Sequence, residues 1–203
     1  MSENPGKKRI QDRDTPLIQA INNGQVHLFQ DLVKRYERQL YNFGRRLCGD
    51  ASDAEDMVQD AFLNAFRYLK NFRFETKFRN WLYRVALSAC LKKKRKSKFA
   101  PERELSLDEF LPKDEAAIPT ELPGWAAQPL DQVLTQELSD TINEAIVELP
   151  ENYRMVMVLR DIEGFSTSET AHILNLSEAN VKVRLHRARL FLKDALKIYF
   201  DQA

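Results

Sequence analysis

The sequence predicts an all-α protein: two small helical domains joined by an acidic, proline-containing linker, the second domain holding a helix-turn-helix. Three observations predict it. Apolar residues recur at helical spacing through most of the chain, and nothing reads as a strand. Helix-start signatures, above all Ser followed by Glu three residues on, open the periodic segments, with Gly or Asn at several ends. From Phe99 to Val133 the period breaks, and Pro101, Pro112, Pro119, Pro123 and Pro129 punctuate an acidic stretch with the composition of an extended tether. The chain of 203 residues, 43% of them hydrophobic, suits a soluble protein of one or two domains. The reading divides it into a tail (1–13), a first domain (14–98), a flexible linker (99–133) and a second domain (134–203).

Taken in order, Thr15-Pro16 starts a helix, because proline suits a first helical turn, and Asn23-Gly24 stops it. A longer helix runs from about Val26, its apolar stripe being Phe29, Leu32, Val33, Tyr36, Leu40, Phe43 and Leu47. Ser52-Asp53-Ala54-Glu55 reads as a capping box opening the next helix, which buries Val58, Ala61, Phe62, Ala65 and Leu69. A short aromatic loop leads to a further amphipathic segment aligning Phe78, Trp81, Leu82, Val85 and Ala89. Helical pattern resumes after the linker with Leu134, Leu138, Ile142, Ala145, Ile146 and Leu149, ended by Pro150. Another helix, about Glu151 to Glu163, stops at Gly164. Ser166-Thr167-Ser168-Glu169 is a second capping box, opening a short helix through Leu174. Asn175-Leu176 turns the chain, and Ser177 caps a final basic helix. A short capped helix, a tight turn and a longer basic helix make a helix-turn-helix.

Net charge is only +1, so function is sought in its distribution. KKKRKSK places Lys92, Lys93, Lys94, Arg95, Lys96 and Lys98 together, while Phe99–Val133 carries eight acids against Arg103 and Lys113. That asymmetry fits nucleic-acid traffic, and equally a solvated face beside a disordered tether. Cys48 and Cys90 lie far apart and outside any CxxC pattern, and the three histidines are scattered. No metal site, disulfide framework or cofactor motif is readable, and buried thiols are the expected fate of the cysteines. MSENPGKKRI lacks the apolar run of a signal peptide and no membrane-length span follows, so the expectation is a cytoplasmic protein without membrane insertion.

The final helix supplies what DNA recognition requires. Val181, Leu185, Ala188 and Leu192 form its core face. Asn180, Lys182, Val183, His186 and Arg187 lie outward near its start, where such helices enter a major groove, and Arg184 joins this candidate duplex DNA-binding set. Cations neutralise phosphate, short polar groups reach base edges, and the Val183 methyls suit a thymine methyl. Arg189 and Lys193, further along, suit phosphates better. In the first domain, NFRFETKFRNWLYR interleaves Phe72, Phe74, Phe78, Trp81 and Tyr83 with Arg73, Lys77, Arg79 and Arg84. Phe78 and Trp81 are expected in the core, and Tyr83 on the outward face with Asn80, Arg84 and Leu87. Aromatics beside cations suit a single strand, whose bases stack while its backbone is neutralised.

FQDLVKRYERQLYNFGRRL, DAEDMVQDAFLNAFRYLKNFR, WLYRVAL, LPENYRMVMVLRDIEGFSTSETAHIL and NVKVRLHRAR together resemble the extracytoplasmic-function (ECF) sigma factors of bacterial RNA polymerase. The resemblance covers most of the chain apart from tail and linker. It implies binding to core RNA polymerase, recognition of −35 duplex and −10 single-stranded promoter DNA, and transcription initiation in a stress or envelope response, with no catalytic activity. Asp56, Gln59 and Asp60 would meet the clamp coiled coil of the large polymerase subunit. The acid-rich face of Asp53, Glu55, Asp56 and Asp60 is compatible with a basic partner, and also with favourable charge at a helix N-terminus. The −10 DNA-binding set would be Phe72, Phe74, Glu75, Thr76, Asn80, Tyr83, Arg84, Ser88 and Lys92. Two departures stand out: Ser88 occupies a position that often carries Asn, and FRFET lacks the Gly-Asp of many relatives. The acidic linker would thread polymerase channels. An anti-sigma factor is the further partner implied. No GxxxxGK[ST] loop occurs, so strand opening would draw on binding energy rather than hydrolysis. A stand-alone helix-turn-helix repressor or activator is the rival from another class; a nuclease lacks any metal-ligand or nucleophile-base cluster.

Overall fold

The computed structural model describes residues 9–97 and 136–202. The expected linker with Trp125 lies outside the described residues, as do the side chains of the basic block, Lys92 included. Among the described residues there are helices and no strands. The first set comprises α1 (Thr15–Asn22), α2 (Phe29–Cys48), α3 (Ala51–Tyr68) and α4 (Phe78–Ser97). The second comprises α5 (Gln136–Glu148), α6 (Glu151–Met157), which continues as a π-helical turn over Val158–Ile162, α7 (Thr167–Leu174) and α8 (Glu178–Gln202).

The expected stripes fill the interior. Leu32, Tyr36, Leu40, Phe43 and Leu47 of α2 are buried against Ala61, Phe62 and Ala65 of α3 and Phe78 and Leu82 of α4. Gly44 lets α2 and α3 approach closely: a Cβ there would stand 2.7 Å from Met57 Cε and 3.2 Å from the Ala54 backbone. One start signal is corrected. The cap of α3 is Asp50, whose carboxylate accepts from the Asp53 amide at 3.1 Å, not Ser52. Asp satisfies an N-terminal amide as well as Ser does, and it stands two residues earlier.

Residues 9–14 are tied to the first helical set. Asp12 accepts from Thr15 N at 3.0 Å and from Phe78 N at 2.7 Å, so one carboxylate serves the starts of both α1 and α4. Asp14, buried, accepts from the Tyr36 hydroxyl at 2.5 Å and is ion-paired to Arg35. Burial and then that carboxylate push the Tyr36 hydroxyl up to about 12.

The two helical sets are docked on one another. Arg154 of α6 donates to the Leu47 carbonyl at the end of α2 at 3.0 Å, where the negative end of a helix favours a cation. A continuous apolar cluster crosses the boundary, joining Phe43 and Tyr83 to Leu149, Tyr153, Leu159 and Phe165.

Candidate functional site

The helix-turn-helix is built by local hydrogen bonds. Ser166 Oγ accepts from Glu169 N at 3.1 Å and Glu169 Oε2 accepts from Ser166 N at 2.9 Å, the expected reciprocal box at the start of α7. Asn175 takes the left-handed conformation, φ 56°, and ends that helix. Ser177 Oγ then accepts from Asn180 N at 3.2 Å and starts α8. Val181 and Leu185 are buried in a small cluster with Val156 and Ala171, which fixes the rotation of α8 about its axis.

That rotation leaves Asn180 and Lys182 exposed, with Val183, Arg184 and His186 half-buried beside them. Arg187 turns toward the Tyr153 hydroxyl at 3.4 Å. Arg189 is held by Asp161 through two contacts, Nε at 2.9 Å and Nη2 at 2.8 Å, so its planar fork already faces a carboxylate.

The aromatic loop differs from its expected arrangement. Phe72 is buried, its ring 4.9 Å from Phe74, 5.9 Å from Phe78 and 5.3 Å from Trp81, a packed aromatic group rather than open stacking faces. Phe74 has φ 58°, rare for a bulky residue, and its carbonyl accepts from Ile10 N at 2.7 Å. Glu75 and Arg84 are exposed and Thr76 is half-buried. Ser88 is exposed too, but its hydroxyl donates to the Arg84 carbonyl of its own helix at 2.9 Å. The expected outward face of Tyr83, Asn80 and Leu87 is corrected: they are 0%, 4% and 5% exposed. The second helical set covers them. Tyr83 donates to Glu163 Oε2 at 2.5 Å and its ring meets Phe165 at 4.9 Å. Arg79 lies over both the Phe165 and Tyr83 rings, at 4.1 and 5.0 Å, and donates to the Glu163 carbonyl at 2.8 Å. Lys77 pairs with Glu169 at 2.9 Å. Burial, reinforced by Glu163, raises the Tyr83 hydroxyl well above its ordinary value.

On α3, Asp56, Gln59 and Asp60 are all exposed. Leu63 lies in the same stripe, seven residues after Asp56, and is 56% exposed, a large apolar side chain left open beside acids. Sequence reasoning missed it, although its i+7 spacing from Asp56 was the available signal. It also missed Glu163, whose partners are distant in sequence.

Among the described residues no helix is long and apolar enough to cross a membrane, and no group of three or more His, Cys, Asp or Glu could hold a metal ion. Comparison with known proteins matches residues 32–100 to Sigma-70 region 2 and residues 139–192 to Sigma-70, region 4. The chain is 33% identical over 180 residues to the ECF RNA polymerase sigma factor SigW of Bacillus subtilis, covering 89% of this chain and 95% of that one. It is 30% identical to the RNA polymerase sigma-H factor of Pseudomonas aeruginosa, over 95% and 98% of the two chains. Among solved structures it is similar to CnrH in complex with the cytosolic domain of CnrY, with a TM-score of 0.65 and 26% identity, covering 92% of this chain and 99% of that one. With its two helical sets matching region 2 and region 4, this chain belongs to the ECF sigma factors of bacterial RNA polymerase.

Proposed function

We propose that this sigma factor reads the −35 duplex with the first turns of α8 and captures the −10 strand with the Phe72–Thr76 loop and the adjoining face of α4, once its two domains have parted. The duplex reader comprises Asn180, Lys182, Val183, Arg184, His186 and Arg187, with Arg189 released from Asp161 to a phosphate. The observation that carries this assignment is the capped α7, the left-handed Asn175 and the exposed Asn180 and Lys182, which together present a groove-sized helix end. The strand reader comprises Phe72, Phe74, Glu75, Thr76, Asn80, Tyr83, Arg84, Ser88 and Lys92. Tyr83 lies under Glu163 and Phe165 in the docked arrangement, so separation precedes capture. The strained Phe74 backbone marks the loop as a place where shape outranks local comfort.

The exposed stripe of Asp56, Gln59, Asp60 and Leu63 meets the polymerase clamp coiled coil, acids facing a basic surface and Leu63 supplying apolar contact. The domains are assigned as 14–98 and 134–203, with 1–13 as tail and 99–133 as linker. The protein works in the cytoplasm as an initiation subunit with no catalytic activity of its own, in a stress or envelope response. The similarity to CnrH, whose solved structure is a complex with a CnrY domain, supports an anti-sigma protein as the partner that holds the docked state.

Run-off transcription tests this reading. Core polymerase supplemented with the chain should start at discrete promoters sharing a −35 and a −10 element. A chain that shifts duplex tightly but gives polymerase no new start sites would be a repressor instead.

A further inference from the structure

We propose that Cys48 and Cys90 are a peroxide-sensitive dithiol that closes to a reversible disulfide beside the junction of the two domains. The two residues are 42 apart in sequence, one ending α2 and the other inside α4, yet their sulfurs lie 2.9 Å apart. That is about 1 Å longer than a disulfide bond of roughly 2.05 Å, so closure needs only a small side-chain rotation. They are the only cysteines in the chain. Two thiols are half of a structural zinc set, and among the described residues no third His, Cys, Asp or Glu completes one.

Their surroundings divide the roles. Cys48 is half-buried and Cys90 is 3% exposed. A small oxidant therefore reaches Cys48 first, and Cys90 resolves the product. Arg154, which bridges the domains through the Leu47 carbonyl, brings its cation next to the pair. Burial lowers this guanidinium from its ordinary value, while Glu151, Cys90 and Cys48 act in the opposite direction. A cation beside a thiol favours the thiolate, which is the nucleophile.

The chemistry balances with one hydroperoxide. The Cys48 thiolate attacks one peroxide oxygen, the O–O bond breaks, and Cys48 becomes a sulfenic acid as hydroxide leaves. The Cys90 sulfur then attacks Cys48, forming the S–S bond and expelling the second oxygen. Two thiols and one hydrogen peroxide give one disulfide and two waters. A dithiol reductant reverses it by exchange. Reducing cytoplasm holds the pair open at rest, so closure reports oxidant.

The test uses the full chain, reduced, then treated with a small excess of hydrogen peroxide. Intact mass should fall by two hydrogens, titratable thiols should drop from two to none, and peptide mapping should join Cys48 to Cys90. Dithiothreitol should restore both thiols. C48S and C90S should each keep one thiol and form no intramolecular bridge, and R154Q should oxidise several-fold more slowly. Thiols that persist, a monomer that gains oxygen as sulfinic acid, or bridges only between chains would each overturn the proposal.

Discussion

At the scale of single residues, the start of α8 separates two kinds of contact. Lys182 is exposed and its long cationic stem suits the phosphate contact proposed for it, whereas Asn180 is short and polar at the helix entry, suited to a base edge. Lys182→Ala should weaken binding to all duplexes alike and reduce the slope of log affinity against log salt by about one. Asn180→Ala should instead cost about 1–3 kcal/mol on the preferred −35 sequence and relax discrimination there. Binding titrations at several salt concentrations on matched and scrambled duplexes read both. If the Lys182 variant loses sequence preference at unchanged salt slope, the roles are exchanged. Arg187 and Arg189 illustrate what residue type alone leaves open. Sequence pattern places both on or near the basic face, but Arg187 leans on Tyr153 and Arg189 is held by Asp161, partners 34 and 28 residues away. No local signal encodes such pairings.

At the scale of elements, helix boundaries are legible where a local hydrogen bond sets them and no second capping residue stands nearby. The Ser166 box and the Ser177 cap follow from side chains three residues from the amides they serve, and the turn at Asn175 from a residue that tolerates the left-handed conformation. The Ser52 reading failed because Asp50 competes for the same helix start and wins two residues earlier. Ser166 offers the element-scale prediction. Ser166→Ala removes the acceptor for the Glu169 amide and should destabilise the protein by about 1 kcal/mol, read as a lower denaturation midpoint with unchanged slope. Glu169 adds a pH dependence. Burial raises its carboxyl, but Lys77, the Ser166 amide and Asn80 outweigh that and hold it at about 2. A depressed carboxyl stabilises fully above its unfolded value near 4.5 and loses that contribution as pH falls toward 2. Thermal unfolding should thus show no Glu169 contribution to pH dependence between 6 and 8. Glu169→Gln should be less stable than the parent at pH 7, with the difference shrinking progressively below about 4.5.

At the scale of the whole molecule, α4 explains what the sequence left unread. Helical periodicity assigns one buried face, where Phe78 and Leu82 are buried and Val85 is half-buried; Asn80, Tyr83 and Leu87 are buried as well, Tyr83 lying between Phe43 of α2 and Phe165 of the second domain. Composition gives no hint that two amphipathic domains will dock face to face over the proposed strand reader. Glu163 is the residue on which this docking can be tested. Its carboxylate accepts from Tyr83 at 2.5 Å and from Arg79 at 3.2 Å, it is itself only 9% exposed at the side chain, and it belongs to neither DNA-reading set. Glu163→Ala would leave the buried Tyr83 hydroxyl without its acceptor and Arg79 with only the Glu163 backbone carbonyl, a penalty of about 1–3 kcal/mol on the docked state alone. The ratio of closed to open protein should fall by roughly 5- to 150-fold. Small-angle scattering should then report a larger radius of gyration for the free protein. Open-complex formation with core polymerase should need less of the variant than of the parent, because less free energy is lost in separating the domains. Raising salt on the parent should move it the same way, since the Arg79–Glu163 and Lys77–Glu169 pairs are partly screened. An expanded variant that initiates no more readily would mean that the cover over Tyr83 does not limit strand capture, and that the polymerase itself prises the domains apart at no kinetic cost.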